Sequence, residues 1–306
     1  MRTPIAVLLP CLEEGKTIAA TVAAFRAALP EATIYVYDNG SRDDTVAAAT
    51  AAGATVRHAT HRGKGNVVRR MFADIDASIY VMADGDNTYD ATTAPAMVKL
   101  LVDRQLDMVV GRRVHEDATA YRSGHQLGNR MITGSLAALF GTGFTDALSG
   151  YRVFSRRFVK SFPAGARGFE IETELTVHAL TLGLPCAELD TRYGARPDGS
   201  ASKLSTFGDG LRIARMIFDL WKNERPLYFF SLFAAIIATV AIALAIPLFV
   251  TYASTGLVPR FPTAILAASL MLVAFLSFFG GLILDAVAHG RREQKRLAYL
   301  QVEGSQ

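Results

Sequence analysis

The chain has 306 residues, enough for one large domain or two smaller ones, with 51% hydrophobic residues and a formal net charge of +4. This modest charge gives no reason to expect a nucleic-acid partner, because an anionic membrane surface explains the arginines near the apolar C-terminal part at least as well. The 2 cysteines lie far apart and predict reduced, buried thiols rather than a disulfide framework.

Short apolar strands alternate with helical segments through the first 113 residues. Strands are predicted at residues 4–9, 33–37, 54–58, 79–82 and 108–111. Helices are predicted at residues 17–29, from about 43, at 63–75 and at 95–103. This alternation is typical of a mostly parallel α/β sheet with crossover helices. Ligands of such sheets bind beyond the carboxyl ends of the strands, where we expect residues 10–14, 38–41, 84–86 and 111–113 to meet.

Beyond residue 113 the alternation becomes looser. The predicted elements are a helix at 124–140, a strand at 150–154, an acidic helix around 170–174 and a strand at 184–193. A polar, Gly/Ser-rich stretch at 194–206 is predicted to be a loop. We therefore take residues 1–206 as one soluble domain.

Residues 207–225 have the pattern of an amphipathic helix, in which Ile217, Phe218 and Trp221 share an apolar face. Such a helix can lie at the membrane interface, with basic residues in the headgroup layer. Packing against the soluble domain is the alternative. The segment that follows favours the membrane interface.

Two stretches without charged residues, 227–250 and 261–284, are each long enough to cross a hydrocarbon core, which needs about 20 residues. They predict a transmembrane hairpin within residues 226–289, followed by a basic tail at 290–306. Only Arg260 lies in the link, whereas basic residues flank the hairpin on both sides. The positive-inside rule therefore places both termini and the soluble domain in the cytoplasm.

Asp84 and Asp86 follow the predicted fourth strand and are separated by Gly85. Two hard oxygen donors suit Mg²⁺ or Mn²⁺, which bind through one or two carboxylates and complete their shell with phosphate oxygens. Gly85 has no side chain to obstruct a ligand that approaches the backbone. Taken alone, the pattern is also compatible with an acidic surface turn, so its weight depends on the other loops at this edge.

Several motifs together resemble glycosyltransferase family 2. They are Leu9-Pro10-Cys11-Leu12-Glu13-Glu14, residues 38–45, Gly63-Lys64-Gly65-Asn66 and Asp84-Gly85-Asp86. Later motifs at residues 110–113, 146–152 and 202–204 are similar to those of the polyprenyl-phosphate glycosyltransferases, the group of dolichyl-phosphate mannose synthase and the bacterial bactoprenol glucosyltransferases. The resemblance covers residues 4 to about 206, and the two-helix anchor matches the bactoprenol branch.

The resemblance implies a GT-A, Rossmann-like fold, a divalent metal and inversion at the anomeric carbon. The implied reaction transfers a single hexose from a nucleotide sugar to polyprenyl (undecaprenyl-type) phosphate at the cytoplasmic face of the plasma membrane. The bactoprenol-like anchor favours a UDP-sugar, with GDP-mannose as the alternative donor. The lipid bilayer is an expected partner, and the resemblance also allows a homotetramer.

The same resemblance assigns roles to individual residues. Those expected to bind the nucleotide sugar are Pro10, Leu12, Glu14, Asp38, Lys64, Asp84 and Asp86, of which Asp84 and Asp86 hold the metal. Those expected at the acceptor phosphate are Arg113, Arg130, Arg152 and Lys203, and those expected to carry catalysis are Asp86, Arg113 and Arg130. Thr88 stands where many dolichyl-type members have Gln, so the Gln-type metal contact is not expected.

The residue chemistry supports a phosphate acceptor independently. A phosphate monoester is mostly a dianion at neutral pH, so it needs cations that offset its repulsion from the donor diphosphate rather than a general base. A hydroxyl acceptor would instead require a base, for which the candidates are Glu170, Glu172 and Glu174. We favour a structural or ion-pair role for these glutamates. Glu170 and Glu174 lie four residues apart on one helix face, so one of them can pair with an arginine of the phosphate site.

Two other functions fit less well. A processive polysaccharide synthase would carry a Gln-x-x-Arg-Trp segment, but the single tryptophan, Trp221, lies in Leu-Trp-Lys. A non-catalytic membrane-anchored module would have no need for Asp84, Asp86 and Arg113 together.

Overall fold

A computed structural model of the chain describes residues 4–114, 123–141, 144–163, 165, 170–194 and 206–303. For residues 123–130 and 206–213 the description covers the backbone alone. The chain divides into two compact units, one formed by residues 1–213 with 294–306 and the other by residues 214–293.

Within the described residues, seven strands form one sheet in the order β3-β2-β1-β4-β6-β5-β7. The strands are β1 Ile5–Cys11, β2 Thr33–Asp38, β3 Thr55–His58, β4 Ile79–Met82, β5 Met108–Val114, β6 Arg152–Ser155 and β7 Cys186–Arg192. Only β6 is antiparallel to its neighbours, β4 and β5, and the other pairings are parallel. The predicted mostly parallel sheet is confirmed, but the sequence pattern did not indicate the direction of β6.

Helices connect the strands close to the predicted positions. They are α1 Ile18–Ala28, α2 Thr45–Ala51, α3 Lys64–Asp74, α4 Ala94–Asp103, α5 Ser123–Phe140, α6 Arg156–Ser161 and α7 Ile171–Leu182. The short helix α6 was not predicted. It begins directly after β6, where the Ser155 hydroxyl accepts a hydrogen bond from the backbone N–H of Phe158 at 3.1 Å and caps the helix.

Both faces of the sheet are covered by helices, which explains why the central strands are apolar throughout rather than alternating. Leu8 and Met82 belong to a buried cluster with side chains of α3, α6 and α7. Val7 and Val81 belong to a second cluster with side chains of α1 and α4. Successive strand residues point to opposite faces, so each strand supplies both layers.

The antiparallel direction of β6 has a consequence for the edge where the parallel strands end. Because β6 begins at that edge, the segment 144–151 before it lies beside the carboxyl ends of β4 and β5. Gly150 shows how close this approach is, since a Cβ added to it would lie 2.9 Å from Asp84 Oδ2. A segment far along the chain thus reaches the predicted metal-binding turn.

Three helices follow the sheet: α8 Thr206–Glu224, α9 Pro226–Thr255 and α10 Phe261–Gln301. Helices α9 and α10 are each long and apolar enough to cross a membrane. The residues predicted as a basic tail, 290–306, are helical as far as Gln301. The end of α10 belongs to the first unit, within which Tyr299 donates a hydrogen bond to Asp107 Oδ2 at 2.8 Å and Arg157 donates one to the carbonyl of Val302 at 2.9 Å.

Small residues recur at intervals of seven along the contact between α9 and α10. The buried ones are Ala234 and Ala241 on α9 and Ala267, Ala274, Gly281 and Ala288 on α10. Small side chains let two membrane helices approach closely. At Gly281 the approach leaves no space, since an added Cβ would lie 2.6 Å from Phe230 Cβ, whereas at the neighbouring Gly280 it would meet nothing within 4 Å.

We expect Gly281→Ala to destabilise this hairpin, because overpacking a close contact typically costs about 1–3 kcal/mol. Gly280→Ala is the matched control and should leave stability unchanged or slightly higher, since alanine has the better helix propensity. Melting temperatures of the two variants in detergent would test this. Equal melting temperatures would contradict the close contact at Gly281.

Candidate active site

Hydrogen bonds join the loop after β1 to the loop after β2. The backbone N–H of Glu13 donates to Ser41 Oγ at 2.9 Å, and Glu13 Oε1 accepts from the backbone N–H of Arg42 at 2.9 Å. The backbone N–H of Glu14 donates to Thr45 Oγ1 at 2.8 Å. The two loops therefore form one wall at the sheet edge.

Three residues of the first loop were predicted to line the base and ribose pocket. Pro10 is buried, whereas Leu12 and Glu14 are half-buried on this wall. Their placement at the edge matches the prediction, and their contact with a nucleotide stays a prediction.

Asp38 lies at the end of β2 and is buried. Its carboxylate accepts hydrogen bonds from the backbone N–H groups of Gly40 and Ser41, each at 3.1 Å, and lies 3.4 Å from His58 Nδ1. Burial by itself would raise the pKa of Asp38, but the hydrogen bonds from Ser41 and Gly40 hold it below its ordinary value. The ionised carboxylate therefore stabilises the turn formed by Gly40 and Ser41. The predicted contact of Asp38 with the nucleoside stays a prediction.

Hydrogen bonds from the start of α1 hold the turn at Asp84-Gly85-Asp86. The Gly85 carbonyl accepts hydrogen bonds from the hydroxyls of Thr17 at 2.9 Å and Thr21 at 3.2 Å. A Cβ on Gly85 would lie 2.5 Å from Cys11 Sγ. The sequence-based interpretation that Gly85 leaves room for a ligand is therefore corrected. The buried side chain of Cys11 occupies that space.

Asp86 is buried, and its Oδ1 accepts hydrogen bonds from the hydroxyl of Thr88 at 2.6 Å and from the backbone N–H of Thr88 at 3.2 Å. Thr88 therefore orients the second aspartate. It does so from the carboxylate's own turn, without reaching across the site.

The ammonium of Lys64, at the start of α3, lies between two carboxylates. It forms ion pairs with Asp84 Oδ1 and with Glu172 Oε1, the latter at 2.5 Å. Burial alone would lower the pKa of Lys64, but the charges of Asp84 and Glu172 more than offset this and raise it. The lysine thus remains charged, and Asp84 has a cationic partner before any ligand binds.

Glu172 is a site residue whose partner the sequence did not indicate. The predicted arginine contact concerned Glu170 or Glu174, whereas in the structure Glu172 pairs with Lys64. A signal was present in the sequence, because Glu172 follows Ile171 and precedes Leu175 on the buried side of α7. A buried carboxylate requires a partner.

Arg113, near the end of β5, is held in a fixed orientation. Its guanidinium forms a bidentate ion pair with Asp146, donating from Nε to Oδ2 at 2.8 Å and from an Nη atom to Oδ1 at 2.7 Å. It also lies 5.6 Å from the ring centroid of Tyr193. Glu188 in turn accepts hydrogen bonds from the backbone N–H groups of Thr145 and Asp146 at 2.8 and 3.0 Å. The sheet thereby positions both Asp146 and Arg113.

Arg152 requires a correction. Its side chain is fully buried and donates to the carbonyls of Ala147 at 2.6 Å and Ser149 at 2.9 Å, and to the hydroxyl of Thr176 at 3.0 Å. Burial lowers its pKa to about 10, so it stays charged at neutral pH. Arg152 therefore stabilises the segment before β6 from inside the core and is not exposed to an acceptor phosphate.

The side chains of two further predicted residues lie outside the part of the chain that the structure describes. Arg130 is within α5, but its side chain is outside the described atoms, and Lys203 lies outside the described residues. Their predicted contacts with the acceptor phosphate stay predictions.

Asp84 and Asp86 could hold a divalent cation. They offer hard oxygen donors at one turn, and the Asp84 side chain is 29% exposed. Among the described residues, no group of three or more His, Cys, Asp or Glu side chains forms a complete metal site. The arrangement fits a cation that binds one or two carboxylates and takes its remaining ligands from substrate phosphates and water.

Comparisons with known proteins agree with this arrangement. Residues 6–162, about half of the chain, match the family model for Glycosyl transferase family 2. Glycosyltransferase AglJ of Haloferax volcanii is 35% identical over 256 residues, which cover 82% of this chain and 83% of that protein. Dolichyl-phosphate hexose transferase of the same organism is 24% identical over 221 residues, covering 72% and 95%.

Among solved structures, glucosyl-3-phosphoglycerate synthase from Mycobacterium tuberculosis in complex with Mn²⁺, UDP-glucose and phosphoglyceric acid is similar in fold. Its TM-score is 0.55 at 24% sequence identity, covering 72% of this chain and 79% of that chain. The fold is therefore GT-A-like.

The chain belongs to glycosyltransferase family 2, and it is an enzyme that transfers a sugar from a nucleotide sugar. This confirms the family and the enzyme class predicted from the motifs. It also argues against the non-catalytic module.

We expect Asp146→Asn to lower the rate of sugar transfer by about 10- to 100-fold, because a displacement of Arg113 of about 1 Å can cost that much. Asp190→Asn is the matched control, since Asp190 forms the same bidentate ion pair with the neighbouring Arg112, at 2.5 and 2.7 Å. Unlike the pair of Arg113 and Asp146, its side chains are half exposed. Its rate should stay within about twofold of the parent, as exposed pairs contribute little. Steady-state kinetics with melting temperatures would test this, and equal rates in the two variants would contradict the role of Asp146.

Proposed function

We propose that this enzyme transfers a single hexose from a nucleotide sugar, with a UDP-sugar favoured, to polyprenyl phosphate at the cytoplasmic face of the plasma membrane. The transfer depends on a divalent metal and inverts the anomeric carbon. The observation that carries the proposal is that the cationic side chains of Lys64 and Arg113 lie at the same sheet edge as Asp84 and Asp86. The same chain contains α9 and α10, which are long and apolar enough to cross a membrane.

The donor and the metal are supported by the similar structure. The mycobacterial synthase was solved with Mn²⁺ and UDP-glucose, and Asp84 and Asp86 offer the oxygen donors that Mg²⁺ or Mn²⁺ prefers. When bound, the cation supplies positive charge that stabilises the nucleoside diphosphate as it leaves. Lys64, already charged at this turn, adds to that stabilisation.

The acceptor is inferred from the charges at the site. A phosphate dianion brings its own nucleophilic oxygen, and Arg113, fixed by Asp146, is the cation that binds and orients it. A hydroxyl acceptor would need a base, but Glu172 is paired with Lys64, and Glu174 accepts a hydrogen bond from the backbone N–H of Gly165 at 2.9 Å. The relative named dolichyl-phosphate hexose transferase supports a polyprenyl-phosphate acceptor.

A second acceptor class is suggested by the same similar structure, which contains phosphoglyceric acid. Transfer to a small, soluble phosphorylated acid would use the same cations but would need no membrane. The apolar helices favour the lipid acceptor. GDP-mannose remains the alternative donor, and a processive polysaccharide synthase remains the less favoured alternative reaction.

The full chain in detergent should release nucleoside diphosphate when Mn²⁺, a nucleotide sugar and a short polyprenyl phosphate are supplied together. Release should stop with EDTA, and it should not occur with the unphosphorylated polyprenol, which lacks the nucleophile. Parallel reactions with 3-phosphoglycerate separate the two acceptor classes, and UDP-glucose and GDP-mannose separate the donors. No release with polyprenyl phosphate and any common UDP- or GDP-sugar would reject the proposal.

Variants of two similar aspartates provide the control. Asp86→Asn should lower release by about 100-fold or more, because it removes charge that holds the metal against the donor. Asp90→Asn should not, although Asp90 accepts the same two hydrogen bonds from Thr92, at 2.9 Å from its N–H and 2.6 Å from its hydroxyl, as Asp86 accepts from Thr88. Equal loss in both variants would indicate a folding effect.

The proposed membrane orientation follows from charge. The link between α9 and α10 contains Arg260, whereas basic residues precede α9 and follow the apolar part of α10. In a Cys186→Ser background, a cysteine at position 258 should react with a membrane-impermeant maleimide added outside intact cells, and one at position 303 should react only after lysis. The reverse pattern would contradict a cytoplasmic catalytic domain.

A further inference from the structure

The ion-pair cluster of Lys64, Asp84 and Glu172 has a property that the proposed reaction alone does not require. The Lys64 side chain is only 10% exposed and Glu172 only 6%, so both charges are largely removed from water, whereas Asp84 is 29% exposed. One ammonium thus connects a buried, permanent partner with a partner that faces the site.

Asp84 cannot serve a metal and this ammonium equally. Its Oδ1 contacts Lys64, and its Oδ2 lies against the backbone of Gly150, where an added Cβ would be 2.9 Å away. A Cβ on Gly150 would also lie 3.2 Å from Lys64 Nζ. A divalent cation that binds Asp84 therefore competes with the lysine for the same carboxylate.

We propose that Lys64 is a resident cation that holds Asp84 before the metal binds, and that Glu172 is the positioning residue that keeps Lys64 at the site when the metal takes Asp84. The freed face of the ammonium then meets the donor diphosphate. This inference rests on the proposed metal-dependent reaction and assigns Glu172 a role in it.

The charges favour joint binding of metal and donor. Lys64, Asp84, Asp86 and Glu172 together carry two net negative charges, which a divalent cation neutralises. A nucleoside diphosphate then supplies further oxygen ligands to the cation and accepts a contact from the displaced ammonium. The metal should therefore bind weakly without a nucleotide and much more tightly with one.

Direct measurement of Mn²⁺ binding tests the exchange without turnover. The full chain in detergent is titrated with Mn²⁺, with and without UDP, and free Mn²⁺ is followed by its paramagnetic resonance signal. The double variant Lys64→Met/Glu172→Gln removes both charges of the buried pair, so no buried carboxylate is left without a partner. Without UDP we expect it to bind Mn²⁺ about tenfold or more tightly than the parent, because no cation has to be displaced.

The single variant Glu172→Gln should act in the opposite direction. Lys64 then has Asp84 as its remaining carboxylate partner, so Mn²⁺ should bind more weakly than to the parent. The KM for the donor should rise and kcat should fall, since Lys64 is no longer kept at the diphosphate, which it binds and then stabilises as it leaves. Glu170→Gln, at the start of the same helix, is the matched control and should change neither the Mn²⁺ affinity nor the two kinetic constants.

Unchanged or weaker Mn²⁺ binding by the double variant, or unchanged binding by Glu172→Gln, would overturn the inference. Because these titrations contain no acceptor, their result is independent of which acceptor the enzyme uses. Failure of the polyprenyl phosphate assay and failure of the cation exchange can therefore be told apart.

Discussion

The cost of burying charge is the constraint on which this active site depends. Lys64 can lie under the sheet edge only because Asp84 and Glu172 meet it there, since an isolated buried charge would be strongly unfavourable. These three residues come from the start of α3, the turn after β4 and the first turn of α7. Their ion pairs therefore fix the relative position of three elements and, in doing so, prepare the turn that carries Asp86.

Three arginines show how surroundings decide what one side-chain type does. Arg112 pairs with Asp190 in solvent, where such a pair contributes little. Arg113, the next residue on β5, is oriented by Asp146 at the active edge. Arg152 is fully buried and binds carbonyls of the segment before β6. Motif position alone suggested a phosphate contact for both Arg113 and Arg152, but only Arg113 keeps a side chain at the edge.

The contact between α9 and α10 is packed differently from the core of the sheet. In that contact small residues replace the large side chains of the sheet's core, and they let the two helix backbones approach closely. Gly281 and Phe230 mark the closest point of that contact. A glycosyltransferase domain and an apolar helical hairpin in one chain are together what makes a lipid-borne acceptor the favoured substrate class.

The sequence by itself determined the alternation of strands and helices, the sheet edge that carries Asp38, Asp84 and Arg113, the family and the two long apolar helices. These follow from local periodicity, hydropathy and short motifs. Only the tertiary structure decided that β6 is antiparallel, that Cys11 fills the space beside Gly85, and that Glu172 pairs with Lys64. Each of these depends on residues far apart in the chain, whose contact no local pattern encodes.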